Sequence, residues 1–126
     1  MPISHAAVLT VPVADQDRAL AFYRDVLGFT LYGDTQVSPE MRWVHLRAPD
    51  GGLDLALADW LDVPAGSIRG LYLAVDDLEA VSAELTARGL VLTGEHDDTP
   101  FGKFHPFLDP DGNELVLYEA APGLME

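Results

Sequence analysis

The chemistry open to this chain is bounded first by what it lacks. It has no cysteine, so thiolate nucleophiles, thiolate metal ligands and disulfides are all excluded. Ser38, Ser67 and Ser82 stand outside any nucleophile-elbow pattern, and no glycine-rich phosphate cradle occurs. The remaining reactive or binding side chains are Asp54, His45 and the aromatics Trp43, Tyr72, Phe104 and Tyr118, all in segments with strand character. A carboxylate on an otherwise apolar strand face either contacts a ligand or pairs with a neighbouring cation, and Arg42 and Arg47 are within reach of Asp54 on the adjoining strand. His45 shares the parity of Trp43, which suits a polar contact or proton carrier, or else a histidine satisfied by a nearby carboxylate or carbonyl. The aromatics are suited to stacking flat ligands and cations, with plain core packing as the alternative. His5 reads as a surface histidine near the terminus, His96 lies among Glu95, Asp97 and Asp98, and His105 has the parity opposite to Phe104.

These residues need strands to present them, and the order of signals repeats at a separation of about 61 residues. The first half runs from the apolar segment Val8–Val13 to Asp15 and an amphipathic stretch, Arg18–Leu27, closed by Gly28. Phe29–Tyr32 reads as a strand, and Arg42–Ala48, the turn Pro49-Asp50-Gly51-Gly52 and Leu53–Ala58 read as a hairpin. The second half repeats this with strand Leu71–Val75, cap Asp76-Asp77, helix Leu78–Arg88, Gly89 and strand Leu90–Thr93. Lys103–Leu108, the turn Asp109–Asn113 and strand Glu114–Glu119 follow. The unit is βαβββ, used twice within one domain: module one spans about 3–58, a linker 59–68, and module two about 69–120. Strand parity divides Leu53, Leu55, Leu57, Leu71, Leu73 and Val75, expected to face helices, from Thr10, Trp43, His45, Asp54, Ala56, Tyr72, Phe104, Val116 and Tyr118, expected to line a cavity.

With 126 residues, 48% of them hydrophobic and 22% charged, the chain fits an ordinary globular domain. Seven Lys and Arg against 21 Asp and Glu give a formal charge of −14, which repels phosphate backbones and anionic lipid surfaces and favours a neutral or cationic small molecule as partner. No basic segment leading into an apolar run of leader type is present, nor an apolar run of membrane-spanning length. The expectation is a cytoplasmic protein with no nucleic-acid or membrane partner.

The stretch Val13-Ala-Asp-Gln-Asp-Arg-Ala-Leu-Ala-Phe-Tyr-Arg-Asp-Val-Leu-Gly-Phe29 resembles the first helix of the vicinal oxygen chelate superfamily, which includes glyoxalases, bleomycin-resistance proteins and extradiol dioxygenases. Asp109-Pro110-Asp111-Gly112-Asn113 resembles the turn before its last strand. The resemblance implies an α+β fold in which two βαβββ modules form a U-shaped mixed sheet around a cavity, with helices on the convex side. It also implies that metal-dependent members place His, Gln or Glu on four strands. The matching positions here are Val8, Asp54, Gly70 and Val116, only one of which has a donor, so the expectation is no metal and no cofactor. His5 is three residues from Val8, an odd offset that turns it to the other strand face unless a bulge shifts the strand and makes it the missing ligand. The function expected is metal-free binding of an aromatic or cationic compound, of the bleomycin-resistance type, with Trp43, His45, Asp54, Tyr72, Phe104 and Tyr118 as ligand contacts and a homodimer as the assembly. The alternatives are a metal-dependent lyase, isomerase or dioxygenase, and a metal-free enzyme using Asp54 and His45 as acid and base. Fosfomycin-type thiol transfer is disfavoured, because an anionic phosphonate would meet the same negative field.

Overall fold

Asp15 and Asp77 each adopt extended backbone and accept a hydrogen bond from an amide three residues on, those of Arg18 and Ala80, so each starts a helix at the same point of its repeat. In the computed structural model, which describes residues 2–122, the first module comprises β1 (Val8–Pro12), α1 (Gln16–Ala21), β2 (Thr30–Ser38), β3 (Met41–Arg47) and β4 (Asp54–Ala58). The second comprises β5 (Leu71–Ala74), α2 (Leu78–Ala87), β6 (Asp97–Thr99), β7 (Gly102–Leu108) and β8 (Glu114–Ala120). Each module builds its own four-stranded mixed sheet with the same topology, β1-β4-β3-β2 and β5-β8-β7-β6, in which only the β1/β4 and β5/β8 pairs are parallel. The repeat read from the sequence is therefore a repeat of topology.

Three elements differ from the sequence reading. The stretch expected as one helix to Leu27 leaves α-helical geometry after Ala21 and finishes as a π-helical turn, Phe22–Val26, in which the Leu27 amide donates to the Phe22 carbonyl. The strand expected at Phe29–Tyr32 continues to Ser38, because β3 pairs along its whole length. Leu90–Thr93 forms no strand beyond a single bridge between Leu92 and Phe107, and the fourth strand of the second sheet is instead Asp97–Thr99. Pro106 supplies the reason. Its carbonyl accepts from the Thr93 amide, but proline has no N–H to return the bond, so the pairing of Leu90–Thr93 with β7 stops where it starts, and the ladder on that side is made by β6 with Gly102–Phe104.

The aliphatic parity packs inward as its pattern requires. Leu55, Leu57, Leu115 and Leu117 join Val11, Val44, Leu46, Leu78 and Phe107 in one buried cluster, with Leu71, Leu73 and Val75 against its edge. The modules are fastened by the Asp109–Asn113 turn. Asp109, buried, accepts from the amides of Asp111 and Asn113, from the Asn113 side chain, and from the hydroxyl of fully buried Tyr23 at 2.8 Å. Asn113 reaches across to donate to the Pro12 carbonyl, and Arg18 pairs with Asp111 at 2.8 Å. Burial first, and the Asp109 charge second, hold the Tyr23 phenol far above its usual pKa of 10.0. No helix of the described residues is long and apolar enough to cross a membrane.

Candidate functional site

The register carries Val8 beside Asp54, and Thr10 beside Ala56, which in turn faces His45 on β3. One face of the first sheet thus holds Thr10, Trp43, His45, Asp54 and Ala56, as strand parity predicts. Its polar centre is a short chain of hydrogen bonds. The Trp43 indole N–H donates to His45 Nδ1 at 3.2 Å, and His45 Nε2 lies 2.8 Å from Asp54 Oδ2. An indole nitrogen can only donate, so Nδ1 is the acceptor and the His45 proton sits on Nε2, directed at Asp54. Arg47 approaches the same carboxylate oxygen at 3.5 Å. The His45 hydrogen bond, assisted by Arg47, lowers the Asp54 pKa below its usual value.

Two residues that sequence reading left outside the site complete this cluster. Tyr32 sits at a shift of register between Leu31 and Gly33, and this brings its ring within 5.1 Å of the His45 ring. Strict alternation from Phe29 gave no reason to place it there. The Arg47 guanidinium lies over the Tyr32 ring at 3.5 Å. Trp60, from the segment expected as a mere linker, stacks on Trp43 at 5.9 Å with 28° between planes and donates its indole N–H to the Arg42 carbonyl. That carbonyl also accepts from buried Gln16, and the Arg42 guanidinium pairs with Asp17 and Asp34. Trp60 is therefore a cover for Trp43, held by the start of β3.

The second sheet carries a separate aromatic group. Phe104 and Tyr118 stack at 5.1 Å with 9° between planes, and Tyr72 stands edge-on to both, at 5.8 and 6.0 Å. Tyr118 donates its hydroxyl to the Phe101 carbonyl, and Tyr72 is 54% exposed. Val116 lies beside Tyr72. The site residues read from the sequence therefore fall into two groups, Trp43, His45 and Asp54 on one sheet and Tyr72, Phe104 and Tyr118 on the other. Among the described residues no aromatic contact joins the groups.

Of the four strand positions where a metal ligand would stand, Val8, Gly70 and Val116 have no donor side chain, and Asp54 is engaged by His45 and Arg47. No three His, Asp or Glu side chains converge among the described residues. These four positions, among the described residues, do not supply the donor set of a metal ion. His5 is exposed and within 2.9 Å of the Ser4 hydroxyl, and His96 pairs with Asp98 on the surface.

Comparison with known proteins agrees with this architecture. Residues 3–117 match the profile of the Glyoxalase/Bleomycin resistance protein/Dioxygenase superfamily. The chain is 30% identical over 125 residues to the uncharacterized protein YaeR of Escherichia coli K12, covering 93% of this chain and 95% of YaeR. Among solved structures, TnmS3, an antibiotic binding protein from Streptomyces sp. CB03234, is 39% identical, with a TM-score of 0.87 over 96% of this chain and 99% of its own. A member of the same superfamily from Sphaerobacter thermophilus is 32% identical, with a TM-score of 0.85 over 94% of this chain and 99% of its own.

Proposed function

This chain belongs to the glyoxalase/bleomycin resistance protein/dioxygenase superfamily, and from that premise we propose that it is a metal-free binding protein that sequesters a planar aromatic compound between the aromatic faces of two chains. The observation that carries the reading is the pairing of two stacked aromatic groups, Trp43/Trp60 and Phe104/Tyr118, with apolar or glycine residues at three of the four metal positions. Similarity to an antibiotic-binding protein points the same way. Between the two ligand classes expected from the sequence, the geometry favours the neutral aromatic. Asp54 already has Arg47 and His45 beside it, so a cationic ligand would have to compete with an established ion pair.

A homodimer is part of the proposal, because each sheet presents only half of an aromatic enclosure and exposes Tyr32 or Tyr72 to solvent. The charge of −14 supports a small molecule rather than nucleic acid as partner, and a cytoplasmic setting is part of the proposal. The enzymatic alternative built on His45 and Asp54 has less room. Trp43 occupies one imidazole nitrogen and Asp54 the other, which leaves neither facing a substrate.

The test is fluorescence titration with neutral phenazine and cationic N-methylphenazinium. Quenching of tryptophan emission by phenazine, weakened by about 1–3 kcal/mol in Trp43→Ala, supports the reading. Saturable binding that is unchanged in a folded Trp43→Ala variant contradicts it, and strong preference for the cation that vanishes in Asp54→Asn restores the cationic class.

A further inference from the structure

The internal repeat permits a comparison that neither aromatic face enters. The helix caps Asp15 and Asp77 correspond, so Tyr23 corresponds to Leu85 and Arg18 to Ala80. The two hairpin turns correspond as well, Asp109-Pro110-Asp111-Gly112 to Ala48-Pro49-Asp50-Gly51. On one side of the molecule Tyr23 bonds to Asp109 and Arg18 pairs with Asp111, and the junction between helix and turn is filled. On the other side the same places hold Leu85 with Ala48, and Ala80 with Asp50. The bulky hydrogen-bonded pair has become two smaller apolar residues, and the aspartate of the turn has kept its carboxylate but lost its arginine.

The consequence is a cavity of about 940 Å³ between the Ala48–Leu53 turn, β5 and α2, within the size range of small-molecule sites. Its walls include Phe29, Leu55, Leu73, Val81 and Leu85. Its charged lining is Asp50, Asp76, Asp77, Glu84 and Arg88, of which Glu84 and Arg88 pair with each other at 2.9 Å. Among the described residues Asp50 and Asp76 take part in no ion pair. The cavity is thus apolar within and negative at its lining, with a carboxylate placed where the equivalent turn receives a guanidinium.

We propose that this cavity is a second binding site, for a compound with an aliphatic body and a guanidinium or ammonium head that takes the place of Arg18 against Asp50. Of the aromatic site residues only Tyr72 also lines this cavity, while Trp43, Trp60, Phe104 and Tyr118 do not, so either assignment can fail alone. The test uses octylguanidinium, 1-octanol and octanoate in calorimetric titration of the full chain, with amide and indole NMR shifts to locate binding. Saturable binding is expected in the order octylguanidinium, octanol, octanoate. Shifts should centre on Ala48–Leu53 and Val75–Leu85, with the Trp43 and Trp60 indoles unmoved. Asp50→Asn should weaken octylguanidinium about fivefold while leaving octanol unchanged, the size of one surface ion pair. Rebuilding the missing fastening as Ala48→Asp with Leu85→Tyr should abolish both, and Val81→Trp, which fills the cavity without new polar groups, should do the same if the double variant does not fold. The proposal is overturned by absence of saturable binding, by octanoate binding as tightly as octylguanidinium, or by shifts centred on the indoles. Concentration-dependent broadening of the same amides without ligand would assign the cavity to a second copy of the chain, and would overturn it too.

Discussion

Removing one oxygen atom from the centre of the molecule tests whether the two modules are held together as described. Tyr23 is fully buried, and its hydroxyl donates to Asp109 Oδ2 at 2.8 Å; Tyr23→Phe keeps the ring and its edge-on contacts with Phe22 and Phe29, so no cavity forms. What is lost is a hydrogen bond to a buried charge, worth roughly 1.5–3 kcal/mol. Asp109 Oδ2 keeps the Asn113 side chain as a second donor at 2.8 Å, which places the expected loss near the lower end, about 2 kcal/mol. In urea unfolding, with a slope of about 2 kcal/mol/M for a chain of this size, the midpoint should fall by about 1 M with the slope unchanged. The pH dependence gives a second readout with a definite sign. The folded state holds the Tyr23 proton well above its usual pKa of 10.0, whereas the unfolded chain releases it near that value. Its contribution is therefore complete below pH 10 and is lost as pH rises beyond it, at about 1.4 kcal/mol per unit, and Tyr23→Phe should remove that component. A midpoint shift below about 0.3 M, or an alkaline slope identical in the two proteins, would refute the assignment of Tyr23 and Asp109 as the fastening.

Gly66 has a φ of +82°, and a Cβ there would collide with the Asp111 carbonyl oxygen, so Gly66→Ala should cost about 3 kcal/mol or more in the same urea assay, or prevent folding. Asp54, its pKa lowered chiefly by the His45 hydrogen bond, stabilises the fold above the usual carboxylate range and loses that contribution as pH falls through its folded value, so Asp54→Asn should flatten the fall of the urea midpoint as pH drops through and below the usual carboxylate value of 3.8. Protein loaded with Zn²⁺, Ni²⁺, Mn²⁺ or Fe²⁺ and buffer-exchanged should retain well under one equivalent by elemental analysis, because Val8, Gly70 and Val116 offer no donors. Stoichiometric retention that disappears in Asp54→Asn would reverse that reading.

The doubled βαβββ order was legible because its signals are local: the Asp15 and Asp77 caps, the helix-ending Gly28 and Gly89, and alternation on β4 and β5 each need only a few neighbouring residues. The sheet face carrying Trp43, His45 and Asp54 followed from parity alone. The misses are non-local. A strand at Leu90–Thr93 agreed with composition and failed because Pro106, thirteen or more residues away, has no N–H to return the bond. Tyr32 entered the site through a register shift that depends on how β2 meets β3, and Trp60 through a hydrogen bond to the Arg42 carbonyl. The Asp109–Asn113 turn was recognisable as a turn, yet its buried carboxylate had no visible partner, since Tyr23 lies 86 residues earlier.

Whether the aromatic faces of two chains together hold a flat ligand is decided by a mixing experiment. Trp43→Ala damages the first-sheet face, and Phe104→Ala with Tyr118→Ala damages the second, so each protein alone should bind phenazine poorly. If ligand sits between chains, exchanging subunits between the two proteins forms heterodimers in which one of two sites is intact. Random pairing then restores about a quarter of the wild-type phenazine capacity, half the dimers carrying half their sites. Recovery near that fraction, measured by fluorescence titration after subunit exchange, is expected. No recovery, although native mass spectrometry shows mixed dimers and the parent chain binds phenazine, would count against a site shared between chains.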